Sequence, residues 1–459
     1  MGLNETPRGG RIHIALYGRR NSGKSSLINA LTGQKIALVS DVAGTTADPV
    51  YKPIELRGIG ACALIDTAGF DDEGALGALR VEKTRETLDR ADLALLVLST
   101  EALADAAAPA ALPSAETSAS GTPQVDIPVR REAPAAPGMA GTQDTKADYS
   151  RSAGAPPEDF APEREWLDEL RARKIPTLVV AGKSDLPGSA SLVERAQRAL
   201  GLSAPPLAVS AATGEGVDAL REALVRLLPE DFAPESLTGA LVSPGDTVLL
   251  VMPQDAEAPK GRLILPQVQT IRDLLDNRCT PVCTTPEEMP RALAALAAPP
   301  ALVITDSQAF AAARALCPPE SRLTSFSILL AAFKGDLPAF VEGARAADAL
   351  TGRSRVLIAE ACTHAPLSED IGRVKIPALL RKRYGDTLQV DIVSGVDFPE
   401  DLRPYDLIVH CGGCMFNRRY ILSRVQRAQA CGVPITNYGV LLAKLTGILN
   451  EVALPASGR

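Results

Sequence analysis

Short apolar runs and amphipathic segments alternate along the first half of the chain. The run RIHIALYG begins at Arg11, and later runs such as LALLVL and VVAG are separated by segments with helical spacing of apolar positions. Strands that alternate with helices are typical of a parallel sheet covered by helices. We therefore predict an α/β fold for a first unit, residues 1–232.

The same rhythm continues in two smaller units. Residues 236–342 contain the strand patterns DTVLLVM, CTPVC and ALVITD, and residues 343–459 contain RVLIAEAC, LQVDIVSG and DLIVHCGGC. Helix patterns such as LPQVQTIRDLLDN and RRYILSRVQRAQAC lie between these strands. We predict a small parallel α/β domain for each unit.

One stretch, from Glu101 to about Pro162, breaks the rhythm. Ala, Pro, Ser, Thr and Gly dominate it, and its apolar residues show no period. Such a composition cannot build a packed core. We predict a disordered insertion at about residues 101–162, in a surface loop between the strand LALLVL and the helix EREWLDELRAR.

A phosphate-binding loop follows the first strand directly. The sequence GRRNSGKSS fits the pattern G-x-x-x-x-G-K-S from Gly18 to Ser25. The glycines let backbone N–H groups approach a polyphosphate, Lys24 reaches the terminal phosphates and Ser25 holds Mg²⁺. The helix that follows adds its positive N-terminus. The residues expected to bind nucleotide here are Gly18, Asn21, Ser22, Gly23, Lys24, Ser25 and Ser26.

Two further motifs indicate that the nucleotide is a triphosphate. VAGTTADPV places Thr45 and Thr46 in a loop that could bring oxygen ligands to Mg²⁺ and the γ-phosphate. LIDTAGF places Asp66 at a strand end, next to the expected Mg²⁺, and Gly69 where its N–H could contact the γ-phosphate.

Two more motifs indicate that the base is guanine. VVAGKSD ends a later strand; Lys183 is expected to bind the nucleotide, and Asp185 could accept from the guanine N1 and amino groups. VSAATGEG places Ser210 and Ala211 where a backbone N–H could contact the guanine carbonyl. Over about residues 11–231, these motifs together resemble the Era/TrmE branch of GTPases.

Two positions depart from common GTPase patterns. Position 182 is Gly, where this branch usually has Asn, and Phe70 follows DTAG, where Ras-like proteins carry a water-orienting Gln. The resemblance implies that K⁺, held by Asn21, supplies positive charge near the β/γ bridge. Lys24, Asn21 and Thr46 would then be the catalytic residues. Asn21 also suits a tight turn without any ion.

Composition limits the function classes. The formal net charge of -7 and the pI of about 5.3 argue against a protein that wraps nucleic acid or coats an anionic membrane. No charge-free apolar run reaches the ~20 residues that cross a bilayer, and the first residues lack a secretory pattern. We expect a cytoplasmic protein, in which grouped cysteines indicate metal binding or catalysis.

Such a group occurs in the third unit. Cys362 and His364 follow one strand pattern, and His410, Cys411 and Cys414 follow another. Ligands collect where parallel strands end. If the two strands are neighbours, three thiolates and up to two imidazoles meet at one edge. This donor set could form a tetrahedral zinc site or hold an iron–sulfur cluster, and the spacing does not decide between them.

The GTPase motifs followed by C-x-H and then H-C-x-x-C resemble the HydF family, the maturation GTPases of FeFe-hydrogenases. The resemblance implies GTP, Mg²⁺ and K⁺ as cofactors, a central domain that forms a homodimer, and a 4Fe–4S cluster on Cys362, Cys411 and Cys414. The fourth iron would be free, or loosely held by His364, His410 or a carboxylate.

The resemblance also implies partners. Radical-SAM maturation enzymes would load a two-iron precursor, and the protein would act as a scaffold and carrier that passes it to apo FeFe-hydrogenase. One rival is a ribosome- or RNA-associated GTPase with a zinc-stabilised C-terminal module, which the acidic charge disfavours. A second rival is an iron–sulfur redox enzyme, but the chain lacks a C-x-x-x-C-x-x-C triplet.

Overall fold

The structure is a computed structural model that divides into three α/β units, each with its own sheet. This confirms the predicted fold class. No described helix is long and apolar enough to cross a membrane. The residues that the structure describes are 8–33, 49–56, 59–72, 74–107, 160–228, 236–253, 263–360, 371–395 and 397–455.

The first unit has a six-stranded sheet in the order β2-β3-β1-β4-β5-β6. Its strands are β1 Ile12–Tyr17, β2 Val50–Leu56, β3 Gly60–Asp66, β4 Leu93–Leu98, β5 Thr177–Gly182 and β6 Leu207–Val209. The sheet is parallel as predicted except at one edge, where β2 runs antiparallel to β3. The few residues between these two strands are too short for a parallel crossover.

Helices cover both faces of this sheet. They are α1 Lys24–Thr32, α2 Gly74–Glu86, α3 Thr100–Ala107, α4 Ala161–Ala172, α5 Ser189–Ala199 and α6 Val217–Leu227. The predicted insertion was too long at both ends, because α3 occupies its first residues and buried Phe160 leads into α4 near its end. The remainder of the predicted insertion, residues 108–159, lies outside the described residues.

The second unit has a four-stranded parallel sheet in the order β10-β9-β7-β8. Its strands are β7 Thr247–Val251, β8 Thr280–Thr284, β9 Leu302–Thr305 and β10 Arg322–Ser325, and its helices are α7 Leu265–Asp276, α8 Met289–Ala294, α9 Phe310–Leu316 and α10 Phe326–Lys334. Three of these strands follow the predicted patterns. β10 has only four residues and was not anticipated.

The third unit has a four-stranded parallel sheet in the order β12-β11-β13-β14. Its strands are β11 Arg355–Glu360, β12 Gln389–Ser394, β13 Leu407–His410 and β14 Ile435–Asn437, and its helices are α11 Leu337–Ala346, α12 Ile376–Tyr384, α13 Arg418–Ala430 and α14 Tyr438–Leu445. β11 pairs with β13, and Ala359 lies opposite His410. The two strands that carry the cysteine motifs are therefore neighbours.

The second and third units share one apolar core. A single buried cluster includes Ile328 of α10, Phe340 of α11 and Ile435 of β14. Lys334, at the end of α10, donates to the carbonyl oxygens of Gly413 and Cys414, so α10 lies against the part of the third unit that carries Cys411 and Cys414.

Candidate functional site

The lysine of the phosphate loop is buried inside that loop. Lys24 Nζ donates to the carbonyl oxygens of Gly18 and Arg19, each at 2.8 Å. Burial lowers the pKa of Lys24 to about 8, against the opposing charge of Asp66. The loop thus presents a cation at the end of β1, as a polyphosphate site requires.

Ser25 and Asp66 form an oxygen pair suited to Mg²⁺. Ser25 Oγ donates to Asp66 Oδ2 at 2.7 Å, while Asp66 Oδ1 is buried and has no hydrogen-bond partner among the described residues. Burial raises the pKa of the Asp66 carboxyl. A hard cation prefers such oxygens, so the pair fits Mg²⁺ held together with phosphate.

A cavity of about 250 Å³ joins the phosphate loop to the predicted base site. Ser210 Oγ donates to Asp185 Oδ1, and Lys183 pairs with Glu101, a residue of α3 that was not predicted in the site. The residues that line the cavity include Ser22, Gly23, Ser26, Gly182, Lys183, Asp185 and Ala211. The structure thus brings the two predicted halves of the nucleotide site together.

The loop after Asp66 packs directly on the phosphate loop. Arg20 N donates to Asp71 Oδ1 at 2.6 Å, and a Cβ at Gly69 would lie 2.6 Å from Arg20 N. Only glycine allows this approach. Thr45 and Thr46, the other predicted γ-phosphate contacts, lie outside the described residues.

Helix α4 supports the nucleotide site in a way the sequence did not reveal. Arg19 Nε donates to Glu163 Oε1 at 2.5 Å and Arg19 Nη2 to Glu163 Oε2 at 2.9 Å, and both side chains are buried. Trp166 stacks on Tyr17 and on Phe70, with ring centroids 5.3 and 5.5 Å apart. Helix α4 therefore fixes both the phosphate loop and the DTAGF loop.

Two cysteines of the predicted metal site lie in the turn between β13 and α13. Cys411 and Cys414 are partly exposed, and Gly413 N donates to Cys411 Sγ at 3.4 Å. Gly413 has a φ of 59°, a left-handed conformation that glycine adopts at low cost. Cys362 and His364 lie outside the described residues, and among the described ones no group of three metal-binding side chains occurs.

The His410 side chain is buried in the core and is not placed to act as a metal ligand. It is fully buried; its Nδ1 lies 2.7 Å from the Cys411 carbonyl oxygen and its Nε2 lies 3.0 Å from Arg424 Nη1. Since Arg424 can only donate, Nε2 accepts and the ring proton lies on Nδ1. Burial, with the Arg424 charge, lowers the pKa of His410 to about 3. With both nitrogens engaged, His410 as arranged offers no lone pair to a metal.

A lysine of the second unit hydrogen-bonds the backbone of the turn between β13 and α13, residues 411–417, which we call the cysteine turn. Lys334, at the end of α10, is buried, and its Nζ donates to the carbonyl oxygens of Gly413, Cys414 and Phe416 at 3.1, 3.0 and 2.9 Å. Nothing in the apolar pattern FSILLAAFK singles this lysine out, except that it is the one charge in an otherwise buried helix.

The same turn contacts the first unit. Asn417 Nδ2 donates to the Arg90 carbonyl at 2.7 Å and to Asp92 Oδ2 at 3.1 Å, while its Oδ1 caps α13 at Tyr420 N. The Arg90 guanidinium lies over the rings of Phe416 and Tyr420, 5.3 and 5.0 Å from their centroids. The cysteine turn is therefore fixed by all three units.

Three protein families match the chain along its length. The hydrogen maturase F dimerization domain matches residues 237–335, and the hydrogen maturase F tetramerization domain matches residues 338–455. The chain belongs to the HydF family. The 50S ribosome-binding GTPase family matches residues 13–118, so this HydF member carries a GTPase domain before its two oligomerization domains. The prediction of the family was confirmed, and the two oligomerization domains imply an oligomer.

Curated relatives match the GTPase domain alone. The tRNA modification GTPase MnmE of Chromobacterium violaceum is 42% identical over 104 residues, which cover 21% of this chain and 23% of the relative. MnmE of Xanthomonas oryzae pv. oryzae is 49% identical over 88 residues, 19% of this chain and 20% of the relative. The chain thus spans less than a quarter of these relatives.

Solved structures of GTPases show a distant likeness. Era from Aquifex aeolicus bound to GDP and AlF4⁻ has a TM-score of 0.32 and 17% identity, covering 61% of this chain and 97% of that one. The S. thermophilus protein NFeoB bound to GMPPNP has a TM-score of 0.29 and 17% identity, covering 50% and 72%. Scores at this level support no functional conclusion.

Proposed function

We propose that the protein is a GTP-binding and GTP-hydrolysing scaffold and carrier in FeFe-hydrogenase maturation. It holds a 4Fe–4S cluster on Cys362, Cys411 and Cys414. It accepts a two-iron precursor from radical-SAM maturation enzymes and delivers it to apo FeFe-hydrogenase.

The pairing of β11 with β13 carries this proposal. Ala359 lies opposite His410, and Cys411 N donates to the Ala359 carbonyl at 3.0 Å. Cys362 follows Ala359 by three positions and Cys411 follows His410 by one. The strands that precede the two motifs thus end at the same edge of one sheet, where parallel α/β folds collect ligands.

The chemistry of the donors fits an iron–sulfur group. Cys411 and Cys414 are the partly exposed thiols of a turn whose backbone N–H already points at sulfur, and such N–H bonds stabilise cluster-bound thiolates. With three protein thiolates, the cluster would supply one iron that can take an exchangeable ligand from the cargo. The protein's own part is to hold the three sulfurs and to fix the turn through Lys334 and Asn417.

The GTPase site supports the nucleotide part of the proposal. Lys24 would neutralise the β- and γ-phosphates, Ser25 and Asp66 would hold Mg²⁺, and Asp185 would bind the guanine N–H groups. Phe70, stacked on Trp166, cannot orient water as a Gln does. A K⁺ ion at Asn21 would supply the missing positive charge at the β/γ bridge.

Metal analysis of anaerobically purified protein tests the cluster. We expect iron and acid-labile sulfide near four per chain in the parent protein, and loss of both in Cys411→Ser, with GTP hydrolysis retained. Cys431→Ser, at the far end of α13, is the matched control and should keep its iron. Zinc without sulfide would refute the proposal and favour a zinc-stabilised module.

Two substitutions at position 21 test the K⁺ site. Asn21 has a φ of 59°, so Asn21→Ala adds backbone strain, whereas Asn21→Gly removes the side chain without it. Both variants should lose the K⁺ stimulation of GTP hydrolysis relative to Na⁺, and Asn21→Gly should keep nucleotide affinity. Stimulation that survives in Asn21→Gly would contradict this ion site.

The carrier role is tested by transfer. Protein loaded with the two-iron precursor should activate apo FeFe-hydrogenase, and Cys411→Ser treated in the same way should not. Activation by the Cys411→Ser protein would show that the cysteine site does not carry the cargo. Light scattering should give at least a homodimer; a monomer would contradict that part of the proposal.

A further inference from the structure

Helix α13 buries an arginine behind the cysteine turn. Arg424 is 1% exposed, although it carries a permanent charge. Its Nη1 bonds His410 Nε2 at 3.0 Å, and its Nη2 donates to the Gly395 carbonyl and the Tyr420 hydroxyl at 2.6 and 2.7 Å. These contacts use both terminal nitrogens, while Nε has no partner among the described residues.

The guanidinium of Arg424 packs against aromatic side chains. It lies over two aromatic rings, 4.7 Å from the Phe398 centroid and 4.6 Å from that of Tyr420. Within the described part of the chain, no Asp or Glu pairs with it. Aromatic faces stabilise a buried cation by less than its transfer out of water costs. An anion is therefore missing from the environment that the described residues provide.

The contacts of Arg424 lead to Cys411. Arg424 donates to His410 Nε2, which places the ring proton on Nδ1, and Nδ1–H donates to the Cys411 carbonyl oxygen at 2.7 Å. Asn437 Nδ2 donates to the same carbonyl at 3.3 Å. The guanidinium thus fixes the backbone of Cys411 through one imidazole and adds positive charge close to its sulfur.

We propose that Arg424 is a positioning residue for the metal group, a buried counter-charge that holds Cys411 in place through His410. This inference rests on the proposed function, since thiolate-bound iron–sulfur supplies the missing negative charge. A fixed positive charge favours the thiolates and the more negative, reduced form of the cluster. The cluster potential is therefore higher with Arg424 than without it.

Redox titration followed by electron paramagnetic resonance tests the inference on the full-length protein. In Arg424→Met we expect a lower iron content and a midpoint potential shifted to more negative values. Arg424→Lys, which keeps the charge, should retain a potential close to that of the parent protein. GTP hydrolysis should not change in either variant, because the hydrogen bonds of Arg424 go to His410, Gly395 and Tyr420, and none of these belongs to the nucleotide site.

Arg427→Gln is the matched control. Arg427 lies one helical turn further on, also over Phe398, and donates to the Pro399 carbonyl at 2.8 Å, but it is partly exposed. We expect no shift of the potential in this variant. Should Arg424→Met fail to fold, Arg424→Gln, which keeps two donors without the charge, is compared with Arg424→Lys.

The outcomes separate the two proposals. An unchanged potential and iron content in the uncharged variants overturn the role of Arg424 and leave the proposed function standing. A parent protein without iron and sulfide overturns the proposed function and this inference with it. A negative shift that appears in Arg424→Met and Arg424→Gln, but not in Arg424→Lys or Arg427→Gln, supports the inference.

Discussion

Single side chains determine how the nucleotide site responds to pH. Lys24 is held by two carbonyls, and burial lowers its pKa to about 8. Bound phosphates stabilise the ammonium and raise that pKa again. Below pH 8 the lysine is already charged when nucleotide arrives, whereas above pH 8 binding must take up a proton.

Affinity for a non-hydrolysable GTP analogue should therefore fall as pH rises from 7 to 9. The limiting slope is about tenfold per pH unit above 8, because one proton is taken up per nucleotide. Calorimetry in buffers of different ionisation enthalpy should detect this proton. Lys24→Arg keeps its charge throughout and should give a flatter profile. A flat profile in the parent protein would show that Lys24 is charged before binding.

Gly182 is a second residue whose effect can be measured. A Cβ at this position would lie 3.2 Å from the Ser22 carbonyl oxygen and 3.3 Å from Val97 Cγ1. Gly182→Ala should shift the phosphate loop slightly and weaken GDP binding by about 1 kcal/mol, roughly fivefold. Fluorescent GDP titration measures the change.

Gly182→Asn is the comparison for that variant. It adds the same Cβ and also the side-chain amide that related GTPases carry. If Gly182→Asn binds GDP more tightly than Gly182→Ala, the amide contributes to nucleotide binding. Equal affinity in Gly182→Ala and the parent protein would mean that the loop has room for the methyl group.

Residues whose partners are close in sequence were predictable. The phosphate loop has a fixed spacing within eight residues, so its chemistry can be read without a fold. Glu163 has no such spacing, because its partner Arg19 lies 144 positions away. His410 was expected beside a metal because it precedes Cys411. However, β13 is buried at every position, and the imidazole of His410 lies in the core with the rest of the strand.

At the scale of elements, α4 is the support of the nucleotide site. Glu163→Ala removes the carboxylate that pairs with the buried guanidinium of Arg19, and breaking such a buried pair costs about 3–5 kcal/mol. We expect a lower free energy of unfolding by that amount in urea, together with weaker GDP binding.

Glu165→Ala is the control for α4. Glu165 pairs with Arg85 at the surface, where both side chains are more than 40% exposed, and such pairs contribute about 0–1 kcal/mol. Equal losses of stability in the two variants would show that burial of the Arg19 pair is not what matters.

Most elements were predictable from their periodicity, and their order in the sheets was not. The strands β4, β11 and β13 lie where the apolar runs placed them. The pairing of β11 with β13 needed the structure, since sequence offers no register between strands about fifty residues apart. The four-residue β10 is too short to show alternation, and β2 carries polar residues at an edge.

At the scale of the whole molecule, the phosphate loop and the contact with the cysteine turn lie at opposite ends of the strands of the first sheet. The phosphate loop follows the end of β1, whereas Arg90 and Asp92, which Asn417 contacts, precede β4. Helix α2 spans the distance, because it begins near the DTAGF loop and ends just before Arg90. The exact boundaries of the three units stay predictions.

Nucleotide binding should therefore change the hydrogen exchange of residues 411–417. Asn417→Asp keeps the cap of α13 but removes both donors and adds a charge beside Asp92. In this variant we expect the change on GTP binding to be confined to the first unit, with GTP hydrolysis retained. Mass spectrometry of exchanged peptides measures it. A response at residues 411–417 that Asn417→Asp leaves intact would exclude this route.

Lys334 belongs to the segment before residue 338, yet its ammonium serves three carbonyl groups beyond residue 412. In a fragment limited to the tetramerization domain, those carbonyl groups would lose the lysine and bond water instead. The turn that carries Cys411 and Cys414 would then be less rigid. A fragment cut at the family boundary therefore separates the proposed metal site from the lysine that holds its turn. Poor capture of iron by such a fragment would report on the missing ammonium, not on the cysteines.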